Sequence, residues 1–163
     1  MPFFLILGIL LVPTLIMTLH IDFLSPGVVN SAVQRFVDDA RCSGKITVAD
    51  YERLVNKVNS AQPLCDISII HEKEAYVLQG DDLDRYYDAY NEDVILDVLY
   101  PDSGSNGVYY MAAGDYLSVV VKNTTPTLGM EIMSIFTPQA KMAVPILCTY
   151  GNRVGENGLT NME

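Results

Sequence analysis

The side chains able to carry chemistry in this chain are few and scattered. Two histidines, His20 and His71, and three cysteines, Cys42, Cys65 and Cys148, are the groups suited to nucleophilic or metal chemistry. The cysteine spacing matches no zinc ribbon and no CxxC redox pair, and an odd number cannot close a complete disulfide framework. Three small buried hydrophobes is the plainer reading. The sharper one is a Cys42–Cys65 bridge between a helix end and a strand start, which an oxidising compartment would allow. A Cys–His nucleophile would need Cys65 or Cys148 to meet His71, and nothing in the spacing brings them together. His20 falls at the rim of an apolar run and His71 at the end of a strand, so solvated or capping roles are expected of both. The chain has no GxSxG, HExxH, P-loop or GxGxxG motif. No catalytic, cofactor-binding or metal-ligating residue is therefore assigned, and neither an enzyme nor a small-molecule substrate is expected.

Oxygen ligands are denser. Asp81, Asp82, Asp84, Asp88, Glu92 and Asp93, with Asp102, Ser103, Ser105 and Asn106, are the hard donors that Ca²⁺ prefers. Neither stretch follows the order of an EF-hand loop, and a solvated acidic face followed by a turn is the plainer account. Ten tyrosines include the central group Tyr86, Tyr87, Tyr90, Tyr100, Tyr109 and Tyr110, which suits core and rim packing or a contact surface. Asn123-Thr124-Thr125 has the form of a glycosylation sequon. Twenty acidic residues against ten basic ones give a net charge of −10. That charge excludes nucleic acid as a partner and disfavours docking of the domain surface on anionic lipid.

The elements that must position these groups begin with an apolar segment. Residues 3–19 read FFLILGILLVPTLIMTL, with no charge. As a helix this run spans about 26 Å, and extension to residue 24 reaches about 33 Å, the thickness of a hydrocarbon core. Pro13 removes one helix hydrogen bond, and Gly8 completes no GxxxG pair. No Lys or Arg precedes the run and no small-residue cleavage site follows it. An uncleaved single-pass anchor over residues 1–24 is expected, in contact with the lipid bilayer through residues 3–24.

The remainder is expected to fold as an α+β domain over residues 25–151, with a polar tail at 152–163. Its roughly 140 residues bury about two thirds of their unfolded surface and require no metal or disulfide. Ser25 as N-cap and Pro26 as first helical residue predict a new helix, with Val29, Val33, Phe36, Val37 and Ala40 on one face and Gly44 past its end. Thr47 and Asp50 predict a second helix by a capping box, with Tyr51, Leu54, Val55 and Val58 as its stripe. The two helices, joined by SGKIT, form a hairpin to be packed on a small, mainly antiparallel sheet. Strands are predicted at 66–71, paired with 74–78 across a short turn, at 115–123, and at 142–150 with Pro145 at an edge or bulge. Leu83, Tyr87 and Tyr90, or Val94, Ile95, Val98 and Leu99, predict one or two short helices; 101–107 reads as a loop and 128–136 as a short helix.

The anchor followed by VVNSAVQRFVDDARCSGKITVADYERLVNKV and CDISIIH resembles a group of poorly characterised Gram-positive membrane-anchored proteins similar to minor pilins and TadE-like pilus assembly proteins. FVDDAR, SGKIT, DYERL, GDYLSVVVKN and YGNRV carry the likeness over most of the domain. The resemblance implies an α+β domain displayed outside the cell from one N-terminal helix, acting as a non-catalytic structural or assembly subunit of a pilus-like, secretion or conjugation apparatus, with other envelope proteins as partners. The chain departs from type IV pilins in lacking a basic leader with a prepilin cleavage site and an early glutamate, so a non-polymerising accessory subunit fits better. Counting Arg35, Arg41 and Lys45 literally would place the domain in the cytoplasm, but these residues belong to a folded acidic domain, where the rule loses force. The extracytoplasmic expectation comes from the resemblance. A membrane-tethered ligand- or calcium-binding module is the alternative.

Overall fold

In a computed structural model, which describes residues 2–61, 64–79, 82–124 and 146–155, the chain opens on one long helix, α1, Pro2–Ser43. No new helix starts at Ser25. The 42-residue helix passes through both Pro13 and Pro26, each of which removes one backbone hydrogen bond without ending it. Ser31 Oγ donates to the Gly27 carbonyl at 2.9 Å just beyond Pro26. The predicted apolar face lies where its spacing puts it: Val29, Val33, Phe36, Val37 and Ala40 are all buried. Gly44 takes the left-handed conformation, φ 67°, and its N–H reaches the Ala40 carbonyl at 2.9 Å, which closes the helix. Most side chains of residues 1–24 lie outside the described residues. Among the described residues, no helix is long and apolar enough to cross a membrane.

The SGKIT link contains a strand, β1, Lys45–Thr47, before helix α2, Val48–Ala61. The capping box is formed: Thr47 Oγ1 and Asp50 Oδ2 lie 2.6 Å apart, and each also meets the other's backbone N–H at 3.3 Å. Strand β2, Cys65–Gln79, runs for 15 residues without a turn. Its predicted partner, residues 74–78, is its own continuation. The true partner is β3, Asp82–Asn91, antiparallel, with His71 opposite Tyr90. The helical spacing of Leu83, Tyr87 and Tyr90 is thus overridden by sheet pairing. Helix α3, Glu92–Leu99, follows and buries Ile95 and Leu99, as their spacing predicts.

Strand β4, Val108–Tyr110, pairs with β1, while β5, Tyr116–Asn123, and β6, Ile146–Arg153, complete a four-stranded antiparallel sheet of order β3-β2-β5-β6. The β5–β6 register shifts between Val121 and Lys122, a bulge on the edge strand. Residues 128–136 and Pro145 lie outside the described residues. β6 continues to Arg153 and Val154 is buried.

α1 lies across β6 and β5. Cys148 Sγ sits 3.2 Å from Asn30 Oδ1, the Tyr150 hydroxyl 3.3 Å from Asp38 Oδ1, and the Gly155 N–H reaches the Arg41 carbonyl at 3.2 Å. The last of these satisfies one of the orphan acceptors at the helix end. Between helix and sheet, Ile67, Ile69, Leu117, Val119 and Val121 supply the sheet's share of the core by strict alternation. Beyond Glu72, β2 has no β5 partner and projects with β3 as a two-stranded ribbon on which Tyr76, Val77, Leu78, Tyr86 and Tyr87 are exposed.

Candidate functional site

The same alternation that buries Ile67 and Ile69 turns His71 inward. It is 3% exposed, and Asp115, two residues before Leu117 on the facing alternation, is 2% exposed. His71 Nε2 lies 2.9 Å from Asp115 Oδ2, and Nδ1 lies 2.7 Å from the Tyr109 hydroxyl. Tyr109 comes from β4, so one buried constellation joins the small sheet to the large one. Tyr90 stacks on the imidazole at 5.8 Å between centroids and 25° between planes, and the Tyr109 ring meets it edge-on at 5.5 Å.

Asp115 has further partners. Oδ2 accepts the Ala112 N–H at 2.8 Å and Oδ1 the Glu74 N–H at 3.2 Å. A carboxylate already accepting two backbone donors is an acceptor toward the ring as well. The hydrogen of the neutral imidazole therefore sits on Nε2, and Nδ1 accepts from Tyr109 O–H. Burial pushes the Tyr109 hydroxyl up to about 12, with Tyr90 and Asp115 adding to it.

A Tyr–His–Asp chain of this kind can hold and relay a proton. Here, however, Tyr109 is 9% exposed and its partners less, so the reacting atoms stay behind the packing that joins β4 to the sheet. Its chemistry is that of a satisfied polar clasp, which fixes the turn before β5 against β2. The expected solvated or capping role for His71 is corrected: its parity with Ile67 and Ile69 was the signal.

The clasp has a pH signature. A phenol ionises near 10 in an unfolded chain, and the native site holds the Tyr109 proton to about 12. The stability this supplies is fully present below pH 10 and is lost as the pH rises through 12, because the unfolded state then binds fewer protons. Tyr51 acts in the same direction: burial raises it first, and then its 2.9 Å hydrogen bond to Glu92. Denaturant midpoints between pH 8 and 12 should fall from pH 10 upward. Tyr109→Phe should cost about 1 kcal/mol at pH 8 and flatten part of that fall. A parallel fall in both proteins would exclude Tyr109 as a contributor.

The remaining sequence candidates do not converge. Cys42 is exposed, Cys65 half-buried with Sγ 3.8 Å from Asn123 Oδ1, and Cys148 buried; all three are free thiols, so the Cys42–Cys65 bridge is not formed. Burial raises the thiols of Cys65 and Cys148, the reverse of what a nucleophile needs. Asn123 is 4% exposed, and its Nδ2 is buried with no partner among the described residues, so the sequon faces inward. His20 lies among residues whose side chains are outside the description.

Asp84 and Asp88 are exposed on β3, while Glu92 turns away to Tyr51. Ser103 and Ser105 bond each other at 3.1 Å in the loop after α3. Among the described residues, no three His, Cys, Asp or Glu side chains are grouped so as to hold a metal ion. Of the central tyrosines, Tyr109 belongs to the core, while Tyr86, Tyr87, Tyr100 and Tyr110 are 40–59% exposed.

At the other end of the molecule α1 exposes large apolar side chains, Ile9 at 67%, Val12 at 54%, Ile16 at 61% and Met17 at 72%. Compared with protein-family models, with curated proteins and with solved structures, the chain matches none.

Proposed function

We propose that this chain is a non-catalytic structural or assembly subunit of an envelope apparatus, held in the membrane by residues 3–24 with its α+β domain on the extracytoplasmic side. One observation carries the reading: α1 is unbroken from Pro2 to Ser43, so the helix that exposes Ile9, Val12, Ile16 and Met17 is the same one whose far half forms the core. Four large apolar side chains at more than half exposure need an apolar surrounding. The uncharged run to which they belong is about as long as a hydrocarbon core is thick. A helix that continues from the apolar run into the core of the domain suits a part that must be held close above a membrane. The plan is also the one implied by the likeness to minor-pilin-like and TadE-like proteins, and the clasp at His71 serves the fold.

The test is made in the native host. The full chain should stay with membranes through an alkaline carbonate wash, its domain should be removed by protease from cells stripped of their wall, and detergent extracts should carry envelope proteins with it. Ile16→Arg places a charge near the middle of the run at a cost of about 3 kcal/mol and should move most of the chain to the soluble fraction. Recovery as a lone monomer without envelope partners would overturn the assembly role. A domain that resists protease until lysis would overturn the orientation.

A further inference from the structure

A groove of about 590 Å³ runs between α1 and α2. Its floor is apolar, formed by Val28, Ala32, Phe36 and Leu54. Phe36 and Leu54 are buried, whereas Val28 remains 47% exposed. Its rim is cationic, with Arg35, Arg53 and Lys57. Asp39 and Asp50 answer two of these: Arg35 Nε lies 3.8 Å from Asp39 Oδ2, and Arg53 Nη1 lies 3.3 Å from Asp50 Oδ1. Both pairs are open to solvent, with the arginines 79% and 57% exposed, so they contribute little. Each also leaves most of its guanidinium donors uncommitted. The Lys57 ammonium has no carboxylate within ion-pair distance among the described residues. Three of the ten basic residues of an acidic chain thus stand around one apolar floor. An apolar floor with a cationic rim suits an amphiphile with an anionic head.

Position narrows the choice. The groove begins on α1 at Gly27, three residues past residue 24, where the proposed membrane segment ends, or about 5 Å along the helix. The headgroup layer on each face of a bilayer is about 5–8 Å thick. The groove therefore opens where acyl chains end and phosphates begin. We propose that it holds an anionic phospholipid, the phosphate on Arg53 and Lys57 and one acyl chain leading back past Ala32 and Val28 toward the bilayer. This rests on the membrane reading above. It reconciles a −10 chain with a charged leaflet: one lipid is bound by a local reversal of sign while the rest of the surface is repelled. The competing occupant is α3 of a second copy, which exposes Val94 and Val98 beside Asp93 and Asp97. α3 packs beside α2, its Glu92 accepting from the Tyr51 hydroxyl at 2.9 Å, so the experiment must tell the lipid from the second copy.

The full-length chain is reconstituted into nanodiscs of phosphatidylcholine with one third phosphatidylglycerol, released into detergent, and weighed by native mass spectrometry. Wild type should retain a phosphatidylglycerol in preference to phosphatidylcholine. Arg53→Gln with Lys57→Gln, both exposed and neutral to folding, should lower that retention about tenfold or more, since each charge-assisted hydrogen bond is worth about an order of magnitude. Ala32→Trp, which fills the groove and keeps every charge, should abolish it. Equal retention by the variants, or no preference for the anionic lipid, overturns the proposal while an inserted chain leaves the membrane reading standing. A chain that does not enter the nanodisc overturns both. A dimer mass that Val98→Asp abolishes assigns the groove to a second copy and overturns the lipid.

Discussion

Asp115→Ala should destabilise the domain by about 3–5 kcal/mol, the range for removing one partner from a buried charged network. Three donors lose their acceptor at once: His71 Nε2–H and the backbone N–H groups of Ala112 and Glu74. The imidazole cannot turn to water where it stands, since His71 is 3% exposed and closed in by Tyr90 and Tyr109, whereas the two backbone groups are part-buried. Asp115→Asn keeps the shape and one acceptor oxygen. With that oxygen facing His71 and Ala112, its amide nitrogen confronts the Glu74 N–H, so a smaller loss of about 1–3 kcal/mol is expected. Tyr109→Phe should be milder still, because it removes one donor and leaves no backbone group unpaired. The order Ala > Asn > Phe is read from denaturant midpoints at constant slope, and the alanine variant should melt roughly 10 °C lower. A loss under about 1 kcal/mol for Asp115→Ala would mean that water replaces the carboxylate and that the clasp is not what fixes the turn.

This clasp was half legible in the sequence. Alternation alone places His71 with Ile67 and Ile69, and Asp115 with Leu117, Val119 and Val121. A buried histidine and a buried aspartate at matching ends of two strands could have been paired on that basis. Tyr109 could not, because β4 is three residues long and carries no periodic signal. The helices were legible to the residue where apolar spacing and end chemistry agreed, as at Gly44 and the Thr47–Asp50 box. They were misread where one cue stood alone. Ser25-Pro26-Gly27 has the composition of a helix start, but a proline inside a helix costs one hydrogen bond without having to end it, and the helix runs through. At 82–91 a spacing compatible with a helix was outweighed by pairing with β2, in a stretch whose tyrosines suit a pleated surface. The groove at Val28 and Leu54 depends on how two helices meet, which no pattern along one chain records.

Gly107→Ala should cost about 3 kcal/mol, at the upper end for forcing an atom into a packed site, although its φ is an ordinary one. The space for a side chain is already taken: a Cβ there would lie 1.8 Å from the Val98 carbonyl oxygen and 2.9 Å from its carbon, both backbone atoms that cannot rotate aside. The Gly107 N–H also reaches the Leu99 carbonyl at 2.9 Å, which ties the loop to the end of α3. Relief must come from moving the loop, and β4 starts at the next residue. Tyr109 would be carried with it, so the methyl group at 107 should lengthen the hydrogen bond to His71 Nδ1. Two measurements separate this from a general loss of stability. Gly104→Ala, where φ is +75° and no atom lies within 4 Å, should cost only about 1–2 kcal/mol of backbone strain. Gly107→Ala combined with Tyr109→Phe should be less than additive, since the first change has already weakened the bond that the second removes. Full additivity would show that β4 holds its place. Membrane retention offers an independent check. α1 is tied to β6 and to Gly155 just after it through Asn30, Asp38 and Arg41. The Gly107→Ala chain should therefore melt early yet stay with the membrane fraction as wild type does.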